Sequence, residues 1–128
     1  MLTETILSLG SNHDRARNIN MAKEMLKDIF YAIRFSDTIL TDPIGMPEGT
    51  PSYVNAVAVG MTSLSIDELR NEIKRIERLI GRNEFDMQRG KIHIDIDIMQ
   101  YGEDKYKPKD WTREYNIRLL SQIISINV

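Results

Sequence analysis

The residues with the clearest chemical potential are Lys91, His93, Asp95 and Asp97, which alternate with Ile92, Ile94, Ile96 and Ile98 and run into Met99. Period-two alternation is the pattern of a half-buried β-strand, with the isoleucines on one face and the charged groups in a row on the other. Residues i and i+2 on a strand face lie about 7 Å apart. Two carboxylates at that spacing repel, and a cation between them relieves the repulsion. Oxygen-only ligands at this spacing suit Mg²⁺, which typically takes one or two carboxylates and draws its remaining ligands from water and substrate phosphates. The same alternation also describes an ordinary solvated strand face, so the neighbouring elements decide its meaning.

The 128 residues bound those elements to one domain, 1–128, long enough to bury a real core. With 41% hydrophobic and 28% charged residues the composition is that of a globular chain. A formal net charge of −2 argues against a general nucleic-acid partner, which would be basic. The absence of cysteine removes disulfides and Cys-bearing zinc sites. Met1 to Leu7 shows neither a basic n-region nor a long apolar run, so the expectation is a cytoplasmic chain with no membrane partner.

Thr5 to Leu9 reads as a strand that ends in the turn Gly10-Ser11-Asn12. That turn lacks the glycine spacing and lysine of a phosphate loop, and His13 after it is expected to be exposed. Ile19, Ala22, Met25, Leu26 and Ile29 define one face of a helix over Asn18 to Phe30. A second strand is expected over Ala32 to Leu40, then a proline-rich loop through Asp42 to Pro51 of a length that is often functional. A third strand runs from Tyr53 to Met61, with Val54, Ala56 and Ala58 opposite Tyr53, Asn55, Val57 and Val59. Ser65 and Glu68 form a capping-box pattern for a helix that stops at Gly81. A polar loop over Arg82 to Gly90, expected to be mobile, leads to the aspartate strand, and Ile117 to Ile124 reads as a C-terminal helix. The order β-α-β-β-α-β predicts an α+β, ferredoxin-like sandwich: a four-stranded antiparallel sheet with two main helices on one face, plus the C-terminal helix. Many functions share that fold.

Five spaced segments then match one family in register. They are Ser8-Leu9-Gly10-Ser11-Asn12, Thr41-Asp42-Pro43-Ile44-Gly45, Tyr53-Val54-Asn55-Ala56, Ile76-Glu77 with Gly81-Arg82, and Asp95-Ile96-Asp97-Ile98-Met99 followed by Gly102. On these the chain resembles the 6-hydroxymethyl-7,8-dihydropterin pyrophosphokinases, enzymes of folate biosynthesis. The resemblance implies transfer of a pyrophosphoryl group from ATP to the hydroxymethyl of a reduced pterin, with release of AMP. It implies two Mg²⁺ ions on the triphosphate held by Asp95 and Asp97, with Asp97 or solvent taking the acceptor's proton. It places the pterin against Tyr53, Asn55 and the backbone of Thr41, Pro43 and Gly45. Asn55 offers the donor and acceptor that a pyrimidine edge needs. Tyr115, two residues after Arg113, is implied as the second aromatic wall. Glu77, His93 and Arg113 fall on the nucleotide side, Arg82 among the catalytic cations, and a monomer is expected.

The chain departs from the family pattern where phosphate charge is handled. Arg89 and Ile92 stand where the resemblance expects a tryptophan and an arginine, and Lys107 stands where it expects a histidine. The arginine's task is to stabilise charge as it develops on phosphate. Arg89, Lys91 and His93 are the nearby cations that could take it over, and Lys107 or Arg118 could contact phosphate. Two alternatives stay open: a paralogue that binds pterin or nucleotide with weakened catalysis, and a ferredoxin-like RNA-binding module, for which Tyr53 alone offers little aromatic surface.

Overall fold

The computed structural model describes residues 1–42, 48–49 and 51–126. The elements in chain order are β1 (Thr3–Ser11), α1 (Arg15–Ile29), β2 (Ala32–Phe35), β3 (Ile39–Thr41), β4 (Tyr53–Thr62), α2 (Ile66–Ile80), α3 (Glu84–Gln88), β5 (Asp95–Tyr101), β6 (Asp104–Lys105), α4 (Pro108–Thr112) and α5 (Glu114–Ile126). The strands form one antiparallel sheet in the order β2-β4-β1-β5-β6, with β3 also paired to β4.

The fold is therefore α+β with an antiparallel sheet, but the described residues hold six strands, not four. One extra strand comes from a break in the expected second strand. Phe35 faces Ala58 and Ile39 faces Asn55, so four steps on one strand match three on the other, which is a bulge. Ser36 causes the interruption. Its hydroxyl accepts from Val57 N–H at 2.9 Å, where a ladder would use a main-chain carbonyl. The other extra strand, β6, is a two-residue return that pairs with Gln100 and Tyr101.

Side-chain alternation sets two layers. Leu7, Leu9, Ala58, Ile96 and Ile98 point to one face, where Ile19, Ala22 and Leu26 of α1 and Leu69, Ile73, Ile76 and Ile80 of α2 close over them. Burying each of the leucines and isoleucines contributes about 1.5–3 kcal/mol, so this layer is a major source of the fold's stability. The capping box at the start of α2 is formed in both directions: Glu68 N–H donates to Ser65 Oγ and Ser65 N–H donates to Glu68 Oε1. On the other face Ile6, Val57 and Met99 pack against Leu119, Leu120 and Ile123 of α5. Helix α5 covers only that part of the second face. Among the described residues the remainder, at the ends of β1, β4 and β5 that carry Gly10, Asn55 and Asp95, forms the floor of a cavity. No helix among the described residues is long and apolar enough to cross a membrane.

The aspartate strand is shorter than its alternation implies. Ile92, Ile94, Ile96 and Ile98 are all buried, but strand pairing begins only at Asp95. Before it, Asn12 takes over the role of a ladder partner. Its amide donates to Gly90 O at 2.7 Å, its Oδ1 accepts from Ile92 N–H at 2.7 Å, and its own N–H donates to Ile92 O at 3.0 Å. His93 thus lies outside the strand and leaves the face of the aspartates. The segment between Arg82 and Gly90 is likewise not an open loop: it contains α3, capped by Asn83 Oδ1, which accepts from Asp86 N–H at 2.8 Å.

Candidate active site

Register puts the site together. Gly10 in β1 is the cross-strand partner of Asn55 on one side and of Asp95 on the other. Ser8, two residues earlier and so on the same face, pairs with Val57 and Asp97. Gly10 is required for space, not for its backbone angle. A Cβ there would stand 3.1 Å from Asn55 Oδ1 and 3.4 Å from Tyr53 Cδ1. The bare backbone leaves a floor between the asparagine and the aspartate, and Asn55 is held beside it by donating to Thr41 Oγ1.

Two cavities meet at Asp95 and Asp97, which line both. The first, about 240 Å³, is walled by Thr41, Asp42, Tyr53, Asn55, Asp110, Arg113, Tyr115 and Asn116 over the Ser8–Gly10 floor. Burial, and next the charge of Asp95, raises the Tyr53 phenol above its ordinary value, and burial raises that of Tyr115. Both rings are therefore neutral aromatic walls at ordinary pH. The second cavity, about 360 Å³, has an apolar floor of Ile73, Ile96 and Ile98 and is rimmed by Arg70, Lys74, Arg82 and Lys107. One is an aromatic and hydrogen-bonding slot, the other a cationic trough, and a carboxylate pair stands at their junction.

The electrostatics of that pair are uneven. Arg82 Nη1 donates to Asp95 Oδ1 and to Glu77 Oε2, each at 2.8 Å. Glu77 also accepts from Ile96 N–H at 2.8 Å. Burial raises the Glu77 carboxyl above its ordinary value, and the bonds from Ile96 and Arg82 offset part of that rise. Glu77 is thus the buried post that holds Arg82 against Asp95. Among the described residues the cation paired with Asp97 is Lys107, whose Nζ is 3.5 Å from Oδ1. Burial and the neighbouring Asp95 charge push the Asp97 carboxyl up to about 7. A carboxylate raised that far is under-neutralised and is a ready position for a cation. Asp110 adds negative charge nearby, with Oδ2 buried and unpartnered. Among the described residues no group of three or more His, Asp or Glu is arranged to hold a metal ion. Asp95 and Asp97 fit a hard divalent cation of the kind that takes most of its ligands from phosphates and water.

Of the residues singled out from sequence, Thr41, Tyr53, Asn55, Asp95, Asp97, Arg113 and Tyr115 meet at the first cavity, and Glu77, Arg82, Asp95 and Asp97 at the second. Pro43 and Gly45 lie outside the described residues. Arg89, Lys91 and His93 line neither cavity. Arg89 lies 3.5 Å from the Phe85 ring centroid and donates to Phe85 O, an arrangement internal to α3 and its cap. Lys91 is exposed, and its N–H donates to Asp86 O. His93 Nε2 pairs with Asp86 Oδ2 at 2.8 Å, and its ring meets His13 edge-on at 4.8 Å. His13 is therefore half-buried in a contact, not simply solvated. Ile92, at the position of the expected arginine, is 7% exposed and in the core. Sequence reasoning missed Ser8, Asp110 and Asn116 as cavity walls and Asn12 as a clamp. Only the turn propensity of Asn12 offered a signal.

The chain matches the family described as 7,8-dihydro-6-hydroxymethylpterin-pyrophosphokinase (HPPK) over residues 6–125. It is 40% identical over 106 residues to a folate synthesis bifunctional protein of Chlamydia muridarum, covering 78% of this chain and 23% of that one. It is 35% identical over 104 residues to a folate synthesis bifunctional protein of Arabidopsis thaliana, covering 80% and 21%. A 2-amino-4-hydroxy-6-hydroxymethyldihydropteridine pyrophosphokinase of Aquifex aeolicus is 35% identical over 104 residues, covering 80% and 64%. The chain thus spans less than two thirds of each of these relatives. The match runs from β1 through α5, and so takes in every strand that carries the aspartate pair, the aromatic slot and the cationic trough: the chain belongs to the 7,8-dihydro-6-hydroxymethylpterin-pyrophosphokinase family.

Proposed function

We propose that this chain transfers pyrophosphate from ATP to 6-hydroxymethyl-7,8-dihydropterin in folate biosynthesis. The observation that carries the reading is that Asp95 and Asp97 line two cavities of opposite character at once. The aromatic slot suits a flat heterocycle, with Tyr53 and Tyr115 as walls and Asn55 at the pyrimidine edge. The trough, with Arg70, Lys74, Arg82 and Lys107 on its rim, suits a triphosphate. In the reaction the pterin hydroxymethyl oxygen bonds to the β-phosphorus, the bond from that phosphorus to the α-phosphate's bridging oxygen breaks, and AMP leaves. Asp95 and Asp97 would hold Mg²⁺, two ions with ATP, which neutralises phosphate charge and orients the chain of phosphates. The protein's own part is positioning. Tyr53, Tyr115 and Asn55 fix the acceptor, Arg82 faces the phosphates, Arg113 lines the acceptor slot and not the trough where the nucleotide side was expected, and the Asp97 carboxylate can take the hydroxyl proton.

The same reading takes β2 and β3 as one interrupted strand and β6 as an appendage, which gives a ferredoxin-like frame. It takes the protein as a cytoplasmic monomer acting on two small molecules, with no nucleic acid or membrane as partner. The decisive experiment is AMP release from ATP with and without the pterin. Pterin-dependent AMP supports the assignment. A second reading, a pterin or nucleotide binder with weakened turnover, is favoured by the burial of Ile92 where an arginine was expected. It is selected if pterin binds tightly and AMP release does not depend on it.

A further inference from the structure

The two aspartates have cations of different kinds. Arg82 is one-quarter exposed and is fixed by two carboxylates. Lys107 is bound more loosely. Its side chain is 57% exposed, and its 3.5 Å separation from Asp97 exceeds the length of a strong charge-assisted hydrogen bond. Its backbone, by contrast, is held firmly. Met99 O, two residues beyond Asp97, accepts from Tyr106 N–H at 2.9 Å and from Trp111 Nε1–H at 2.8 Å, which pins the chain on both sides of Lys107. Lys107 itself has φ 53, left-handed, immediately before Pro108. That conformation is unfavourable for a residue with a side chain, and it persists because the flanking contacts impose it. The result is a rigid base and a loosely paired ammonium on the shared rim of Asp97 and the cationic trough.

We infer that Lys107 is an exchangeable counter-ion: it neutralises Asp97 until a divalent cation and nucleotide arrive, then gives up the carboxylate and turns to the phosphates in the adjoining trough. This rests on the reading of the aspartate pair as the place where a divalent cation and nucleotide phosphates meet. Lys107 therefore competes with the metal when the metal comes alone and cooperates with it when nucleotide is present. It also brings a positive charge to the reacting phosphates from the residue before α4, whereas Arg89 and Lys91 line neither cavity.

The consequence is a reversal of sign that a merely structural lysine would not produce. The intact chain is titrated with Mn²⁺ alone, followed by electron paramagnetic resonance, and with a non-hydrolysable ATP analogue plus Mg²⁺, followed by calorimetry. Lys107→Ala and the second neutral variant Lys107→Gln are expected to bind Mn²⁺ about two- to fivefold more tightly than wild type, the scale of a lost exposed ion pair. The same variants are expected to bind the nucleotide about tenfold more weakly. Lys107→Arg restores nucleotide affinity, and Lys109→Ala, two residues on in the first turn of α4, changes neither. Mn²⁺ affinity that is unchanged or lower in both neutral variants, with nucleotide still bound by wild type, overturns the counter-ion while leaving the proposed function standing. Equal Mn²⁺ and nucleotide affinity in wild type and Asp97→Ala overturns the aspartate pair as the meeting place, and the inference with it.

Discussion

Asn55 and Asp95 are the two cross-strand neighbours of a single residue, Gly10, one on β4 and the other on β5. The amide proposed for the acceptor's edge and the carboxylate proposed for the metal are thus set apart by one strand of a hydrogen-bonded ladder. Their separation is a property of the sheet, not of any loop. The side chain missing at Gly10 is what keeps the space between them usable.

Gly10→Ala tests that relationship. The added methyl would lie 3.1 Å from Asn55 Oδ1. Asn55 cannot easily retreat, because its amide is tied to Thr41. The overpacking costs about 1–2 kcal/mol of stability, and pterin affinity should fall about tenfold or more if the displaced group is, as proposed, the one at the pyrimidine edge. Urea denaturation and pterin calorimetry on the same variant separate the two effects. Unchanged pterin affinity would show that the floor over Gly10 is not where the heterocycle lies.

Asp97 gives the site a pH dependence of known sign. Its carboxyl is held up at about 7 in the folded chain, against an ordinary value of 3.8. Between those values the unfolded chain has released this proton and the folded chain has not. The group's contribution to stability is therefore fully present below about 3.8, is lost as pH rises towards 7, and is constant above it. Asp97→Asn removes this dependence, so the variant should gain stability relative to wild type from pH 4 to 7, read from paired urea curves across that range. A divalent cation must displace the same proton, so Mn²⁺ affinity in wild type should rise up to about pH 7 and then level off. Parallel stability profiles for the two proteins would place the Asp97 titration elsewhere.

The layers of this fold were legible because burial follows period. The alternation of β1, β4 and the aspartate strand correctly separates Leu7, Leu9, Ala58, Ile96 and Ile98 from Asn55, Asp95 and Asp97. What period cannot show is where hydrogen bonding stops. Ile92 and Ile94 stay in the core, yet their backbone leaves the ladder, so His93 pairs with Asp86 instead of joining the aspartates. The break between β2 and β3 was hidden for a similar reason, since a serine hydroxyl in a ladder looks like any polar residue on a strand. Helix α3 was hidden by its length: five residues with no buried member carry no amphipathic signal. Asp110 and Asn116 reach the cavity only through the fold of α4 and α5, which no local pattern encodes.

Asn12 illustrates a site residue that acts entirely through the backbone. It satisfies Gly90 O and Ile92 N–H, both buried by the approach to β5. Asn12→Ala leaves the two groups without those bonds and should cost about 2–4 kcal/mol. The amide of Ile92 should exchange with solvent faster, while amides at the centre of α2 change only with global stability. Retained protection at Ile92 in the variant would mean that another group closes the ladder there.

Tyr115 carries the sharpest claim about the acceptor. It sits in the first turn of α5, which is fixed at that point by Asn116: this side chain is 2% exposed and donates to Asp110 O at 3.1 Å. The ring is thereby presented to the same cavity as Tyr53, from a helix instead of the sheet. If the pterin lies between the two rings, stacking and not the phenol accounts for Tyr115's contribution. Tyr115→Phe should then bind pterin as wild type does. Tyr115→Ala should bind it about tenfold more weakly, the scale of one lost aromatic face. Affinity for the ATP analogue should stay constant in both, because Tyr115 does not line the cationic trough. Calorimetry with each ligand separates these outcomes. Equal pterin affinity in Tyr115→Ala and wild type would leave Tyr53 as the sole wall and move the acceptor towards the sheet.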